Sequence, residues 1–118
     1  SDFTGSEFAG AHLDSSQFQG TTLNFCNFSE ASLRECDLSR AKLFSATLQN
    51  ARLSSSVLNS VTMIGAKAVG ADLKNVNLDR ANLTMADLSK SDFEGSSMNG
   101  VLDQDTIYDG ANLEGINK

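Results

Sequence analysis

The side chains able to do chemistry are few in this chain, and their spacing suits none of the common reactions. There is one histidine, His12. A nucleophilic triad would need an activated hydroxyl and an acid beside it, and a zinc site would need further ligands close by. The two cysteines, Cys26 and Cys36, are too few and too far apart for a zinc cluster. Carboxylates pair locally, as Glu35 with Asp37 and Asp92 with Glu94. Acid–base catalysis needs such groups to face each other across a cleft rather than stand side by side on a surface. Serine is abundant but has no second histidine to activate it. There is no glycine-rich phosphate loop. The sequence therefore reads as non-enzymatic: no catalytic, cofactor-binding or metal-binding residue is assigned, and no cofactor is expected.

The elements that would have to position any site announce themselves differently. From Phe3 to Leu113 every fifth residue is apolar except Asp103, and two residues before each stands a mostly small one, most often alanine or serine. A period of five matches neither the helical 3.6 nor the strand period of two. Short, fixed self-similarity signals a solenoid, in which each repeat buries its face only against its neighbours. All nine glycines fall on the last residue of a pentad, the place for a tight turn. Proline is absent, as expected where backbone groups must pair above and below.

Several pentads carry a fuller signature: Ala71-Asp72-Leu73, Ala81-Asn82-Leu83, Ala86-Asp87-Leu88 and Ala111-Asn112-Leu113. This pattern resembles the pentapeptide-repeat family, and the resemblance covers practically the whole chain. It implies an all-β fold, a right-handed quadrilateral β-helix with four pentapeptides per coil. The 118 residues then make just under six coils in one domain, 1–118. At ~4.8 Å per coil the rod would be roughly 29 Å long.

Wrapping the sequence in twenties sorts it onto four faces, the first holding residues 1–5, 21–25 and so on, each next face starting five residues later. Cys26 falls on the second face and Cys36 on the fourth, on opposite walls, both at the small inward position. They are expected to be buried free thiols acting as small hydrophobes, not a disulfide. Asp103 would aim a carboxylate into the core, which is costly without partners. An irregular stretch is therefore expected at 101–109.

The outward positions carry the functional expectation. Large apolar residues Phe25, Phe44, Ile64, Met85 and Leu102 all fall on the first face, one per coil. The third face is strongly charged, with His12, Asp14, Arg34, Glu35, Arg52, Asp72, Lys74, Asp92, Glu94 and Glu114. A contiguous apolar stripe marks a contact surface. Phe3, Phe8 and Phe18 add a second candidate contact at the N-terminal coil end, where aromatic area and strand edges lie open unless something caps them.

The expected function is thus a protein–protein interaction or scaffold module whose rigid rod presents flat faces to a protein partner or a second copy. Nine bases against fifteen acids give a net charge of −6, which disfavours direct nucleic-acid binding. No run of 18 apolar residues could span a membrane, and a rod filled by its own side chains leaves no small-molecule pocket. No leader resembling a signal peptide is present, and the sequence names no compartment. The family resemblance implies an alternative, a DNA mimic that binds type II topoisomerase (DNA gyrase) and confers fluoroquinolone resistance. Duplex DNA carries about one negative charge per ~1.7 Å, so a ~29 Å mimic would need roughly 17, far above the charge available.

Overall fold

The computed structural model describes all 118 residues, Ser1–Lys118. The second residue of each pentad forms a single parallel bridge to the residue 20 positions on, from Asp2–Thr22 through to Ser97–Asn117. Four pentads therefore close one coil, and coils 1 to 6 hold residues 1–20, 21–40, 41–60, 61–80, 81–100 and 101–118. The result is a four-sided β-helix, a short rod of 32 × 24 × 21 Å. No helix is long and apolar enough to cross a membrane.

Accounting for the backbone donors of one pentad explains why the coil repeats. The third residue donates to the coil above, as Leu23 N–H does to the Lys42 carbonyl at 2.7 Å, and so does the fifth, as Phe25 does to Phe44 at 2.9 Å. The second residue donates to the coil below, as Lys42 does to Thr21 at 3.0 Å. The first residue of the next pentad closes a turn onto the third, as Ala46 does onto Leu43 at 3.1 Å. The fifth residue sits in that turn with a left-handed backbone at all nine glycines and at fourteen other residues. Only the third turn position takes positive φ, which defines a type II turn.

That leaves one donor per pentad without a ladder partner, the fourth N–H. In about half of the pentads a side chain takes it. Asp2, Asn27, Asp37, Asp72, Asn77, Asn82, Asp87, Asp92 and Asn112 each accept the N–H two residues on, at 2.9–3.1 Å. The Asp or Asn before each Leu in the repeat is thus an Asx turn with a specific duty.

Inside, 28 apolar residues form one continuous core, with leucines stacked on all four walls between Phe28 low in the rod and Phe93 high in it. Cys26 and Cys36 are free and buried on opposite walls. They do more than fill space. Cys26 donates its S–H to the Phe3 carbonyl at 2.9 Å, and Cys36 donates to the Leu13 carbonyl at 3.0 Å. Ser56, Ser91, Ser96 and Thr106 make the same bond from the same pentad position to the coil below. Burial raises both thiols above their usual range, which suits a donor that stays protonated.

The expected irregularity at 101–109 is corrected by the structure: the coil continues through it. Leu102 bridges Asn82, Ile107 bridges Asp87, and Thr106 N–H closes its turn onto the Asp103 carbonyl at 3.2 Å. The physical reason is that Asp103 has partners. Its Oδ2 accepts from the Tyr108 hydroxyl and from Lys118 Nζ, each at 3.0 Å. In the sixth coil the carboxylate is also only half-buried, so its desolvation is partial.

Candidate interaction surface

The turns occupy the fourth and fifth residues of every pentad, so the corners of the rod are built from those positions. This relocates the apolar stripe. Phe44 and Ile64 are fourth residues, and Phe25 and Met85 are fifth residues. All four therefore stand on the corner between the first and second faces, forming a convex ridge through coils 2 to 5 instead of a flat patch. Leu102 alone lies mid-face, in coil 6, and is 60% exposed.

Within the ridge, Phe25 and Met85 are each 57% exposed and Phe44 41%, while Ile64 is half-buried. The rings of Phe25 and Phe44 meet edge to face, with centroids 5.6 Å apart. Phe44 is held from below, where its N–H donates to Asn24 Oδ1 at 2.9 Å. Phe25 and Met85 carry φ of 60° and 59°. They are the only large apolar residues among the left-handed positions, a region that costs a non-glycine residue about 1–2 kcal/mol. Strain kept by an exposed apolar side chain is a pointer towards use.

The N-terminal aromatics are less open than their positions imply. Phe8 stacks flat on Phe28, 5.0 Å between centroids and 6° between planes, and Phe3 meets Phe8 edge to face at 6.1 Å. Phe3 is exposed, whereas Phe8 and Phe18 are half-buried.

The third face is laced by its own charges. Arg34 pairs with Asp14 at 3.2 Å, and Lys74 reaches both Asp72 at 3.4 Å and Asp92 at 3.8 Å. The Ser32 hydroxyl, the Arg34 backbone N–H and the Arg34 guanidinium together hold the Asp14 carboxyl below its usual range. A recess of about 310 Å³ opens there, lined by Asp14, Arg34, Glu35, Ser54 and Ser55, with no apolar residue. Its one base is already paired to Asp14. No cluster of His, Cys, Asp and Glu is placed to hold a metal ion. His12 stands exposed on this face.

Two features of the surface were hidden in the sequence. The glycines mark the fifth pentad residue as the turn, but the fourth residue also belongs to it; that Phe44 and Ile64 share a corner with Phe25 and Met85 was not drawn from the sequence. The support of Phe44 by Asn24 is an across-coil bond at a separation of 20, legible only once the coil length is known.

A filled core, a repeating backbone ladder and a surface that carries all the variation define a solenoid repeat protein. The chain belongs to the pentapeptide-repeat family: the family model for pentapeptide repeats matches in eight copies, over residues 1–29, 23–59 and 58–95. Solved structures agree on a right-handed quadrilateral β-helix. The pentapeptide-repeat protein Rfr23 from the cyanobacterium Cyanothece 51142 superposes with a TM-score of 0.75 at 21% identity, covering 92% of this chain and 91% of that one. HetL, a pentapeptide-repeat protein involved in heterocyst differentiation regulation in Nostoc sp. strain PCC 7120, gives 0.69 at 21% identity, covering 98% and 84%. QnrB1, a plasmid-mediated fluoroquinolone resistance protein, gives 0.57 at 16% identity, covering 98% and 70%. At these identities the likeness shows the fold. No curated protein matches the chain. The family supports a scaffold or interaction role for this repeat protein.

Proposed function

We propose that this protein is an interaction module that docks a protein partner along the apolar corner formed by Phe25, Phe44, Ile64 and Met85, with Leu102 extending the contact on the first face. The observation that carries this reading is the ridge itself: one large apolar side chain per coil through four coils, two of them on left-handed backbone where glycine would be unstrained. Core packing gives no reason for Phe25 or Met85 at such positions, since both side chains lie mostly in water. Exposed Phe3 at the first coil adds a second, smaller candidate contact, backed by the stacked Phe8 and by Phe18.

The test is the double substitution Phe44→Asp with Ile64→Asp. Circular dichroism should show the coil intact, because both side chains project from a corner. Partner capture and self-association are expected to fall together. If both persist unchanged in the folded variant, the ridge is not the docking surface.

Charge disfavours the DNA-mimic alternative. A 32 Å rod would need about 19 negative charges to match duplex DNA at one per ~1.7 Å, against a net −6 here. The charge is also spread, with Arg40 and Arg80 offsetting Asp37 and Asp79 on the fourth face and Lys118 adding a positive charge at its end. Micromolar protein is expected to leave gyrase supercoiling unaffected, and clear inhibition would reinstate the mimic.

A further inference from the structure

We infer that the ridge is shaped for an amphipathic α-helix whose apolar stripe is flanked on both sides by carboxylates. The inference rests on the docking role proposed above and specifies the chemistry of the occupant.

The first reason is register. The four ridge residues advance one coil at a time, about 4.8 Å per step, or ~14 Å from Phe25 to Met85. A helix laid along the rod repeats its apolar face every 5.4 Å, so three turns cover ~16 Å and stay within reach of every knob. A strand repeats its face every ~6.7 Å and would reach ~20 Å over three steps, losing register. A convex row of side chains also fits the grooves between side chains on a helix.

The second reason is charge. Lys42 stands mid-face on the first face in coil 3, two residues before Phe44. Lys67 stands mid-face on the second face in coil 4, three residues after Ile64. They therefore straddle the centre of the ridge, one coil apart. Both are exposed, and neither belongs to any of the ion pairs of the protein. The neighbouring Asp87, one coil above Lys67, is engaged instead by the Ser89 hydroxyl and N–H at 2.6 and 3.1 Å. Lys67 also acts on Asp87 as a charge, the least of the influences that lower that carboxyl, but forms no ion pair with it. In a chain of net charge −6, the middle of the ridge is thus flanked by two cations outside any ion pair.

The same lysines argue against a second copy as the occupant. Two ridges facing each other antiparallel place Lys42 within about one coil of the other copy's Lys42, and likewise for Lys67. Facing each other parallel, they set Asp2 opposite Glu7 of the other copy. Like charges so placed oppose association.

The probe is a fluorescein-labelled 18-residue helical peptide with leucines at i, i+4, i+7 and i+11 and glutamates on both flanks of that stripe. A second peptide carries lysines on the flanks, and a third replaces the leucines by serine. Fluorescence anisotropy is read against the unmodified protein, the Lys42→Glu/Lys67→Glu variant and the Phe44→Asp/Ile64→Asp variant, with circular dichroism confirming each fold. The glutamate-flanked peptide should bind about tenfold more tightly than the lysine-flanked one, as two rim pairs switch from attraction to repulsion. The preference should shrink as salt rises, and the lysine-reversed variant should invert it. The serine peptide should not bind, and the aspartate variant should bind neither leucine peptide. Equal binding of both leucine peptides, lost in the aspartate variant, overturns the helix-charge inference and leaves the docking ridge standing. Binding that survives in the aspartate variant overturns both. A dimer in sedimentation equilibrium that dissociates in the aspartate variant makes the second copy the occupant and overturns the inference alone, as does failure of every peptide to bind.

Discussion

The Tyr108 hydroxyl donates to Asp103 Oδ2 at 3.0 Å, joining two residues that occupy inward positions on adjacent walls of the sixth coil. Lys118 Nζ reaches the same oxygen at 3.0 Å and lies 5.9 Å from the centre of the Tyr108 ring. The pair is why an acid can stand in a column otherwise filled by Phe3, Leu23, Leu43, Met63 and Leu83. Burial first, then the neighbouring carboxylate, pushes the Tyr108 phenol well up, so it remains a donor across the working pH range.

This arrangement predicts a pH-dependent contribution. The Lys118 hydrogen bond, followed by that of Tyr108, holds the Asp103 carboxyl below its usual range against the opposing effect of burial. A depressed acid stabilises the fold above its unfolded pKa of about 3.9, and the contribution is lost as pH falls through the folded value. Asp103→Asn keeps an acceptor and removes the charge. Urea unfolding at pH 7 should place this variant about 0.5 kcal/mol below the parent, because Lys118 is half-exposed and solvent screens the pair. The gap should close below about pH 4. A gap that is the same at pH 3 and pH 7 would show that the charge contributes nothing.

Ser96 predicts a cost that the repeat pattern alone would get backwards. Its hydroxyl donates to the Leu73 carbonyl at 2.5 Å and accepts the Val76 N–H at 3.2 Å, standing in for the direct turn bond between those two residues. Ser91 makes only the donation, to Ala68 at 2.7 Å, and the Ala71 N–H still reaches that carbonyl directly at 3.1 Å. Alanine is the commonest residue at this pentad position, so both serine-to-alanine changes look harmless by sequence. Ser96→Ala should destabilise by about 1–3 kcal/mol through two unpaired buried groups, and Ser91→Ala by about 1 kcal/mol. Comparable denaturation midpoints for the two variants would mean that the turn at Leu73 closes on its own.

Much of the fold was legible because a pentad aims its first and third side chains inward with fixed regularity, so Leu23, Leu43, Leu48 and the rest declare the core directly. Alanine, serine and cysteine fit the same small slot, which hides whether the residue packs or donates; Ser56, Ser96 and Cys36 became distinguishable only through the carbonyls below them. Asp103 read as a break because its rescuer, Lys118, lies 15 residues on and leaves no local signal. The ridge was half-legible. Its members were visible as outliers in outward positions, and the glycines elsewhere at the fifth position announced the turn. That the fourth residue shares the bend, setting Phe44 and Ile64 on the same corner as Phe25 and Met85, shows only in the backbone.

Gly70 and Gly20 separate two reasons for glycine at a turn. Both have left-handed φ, 71° and 65°. A Cβ on Gly20 would meet nothing within 4 Å, whereas one on Gly70 would stand 2.5 Å from Asn50 Oδ1 in the coil below. Gly20→Ala should therefore cost only the backbone term, about 1 kcal/mol. Gly70→Ala should cost measurably more, since Asn50 must also swing aside. Asn50 is itself left-handed at φ 58°, so Asn50→Gly is the variant that removes the obstacle without new strain. In that background, measured alone and combined with Gly70→Ala, the extra cost should vanish. Thermal unfolding of Gly20→Ala, Gly70→Ala, Asn50→Gly and Asn50→Gly/Gly70→Ala checks this, and equal losses for Gly20→Ala and Gly70→Ala would remove Asn50 from the account.

Met85 should show stability and function pulling in opposite directions. At φ 59° and mostly in water, its side chain gains little from packing while its backbone sits where a large L-residue is unfavourable. Glycine takes that conformation without strain and already occupies the equivalent turn position at nine pentads, whereas Asn50 and Asn75 stand beneath Gly70 and Gly95 and Met85 stands beneath Asp105. Met85→Gly should raise the denaturation midpoint by an amount equivalent to about 0.5 kcal/mol. It should also weaken docking on the ridge, because one of four apolar knobs is lost, at up to ~1.5–3 kcal/mol for a side chain that becomes fully buried on binding. Leu48, a core residue of coil 3, provides the contrast: Leu48→Ala should lower stability by about 2–5 kcal/mol. A Met85→Gly protein that is less stable than its parent would mean that methionine is kept for the fold, and the reading of the ridge as a strained contact surface would lose its principal support.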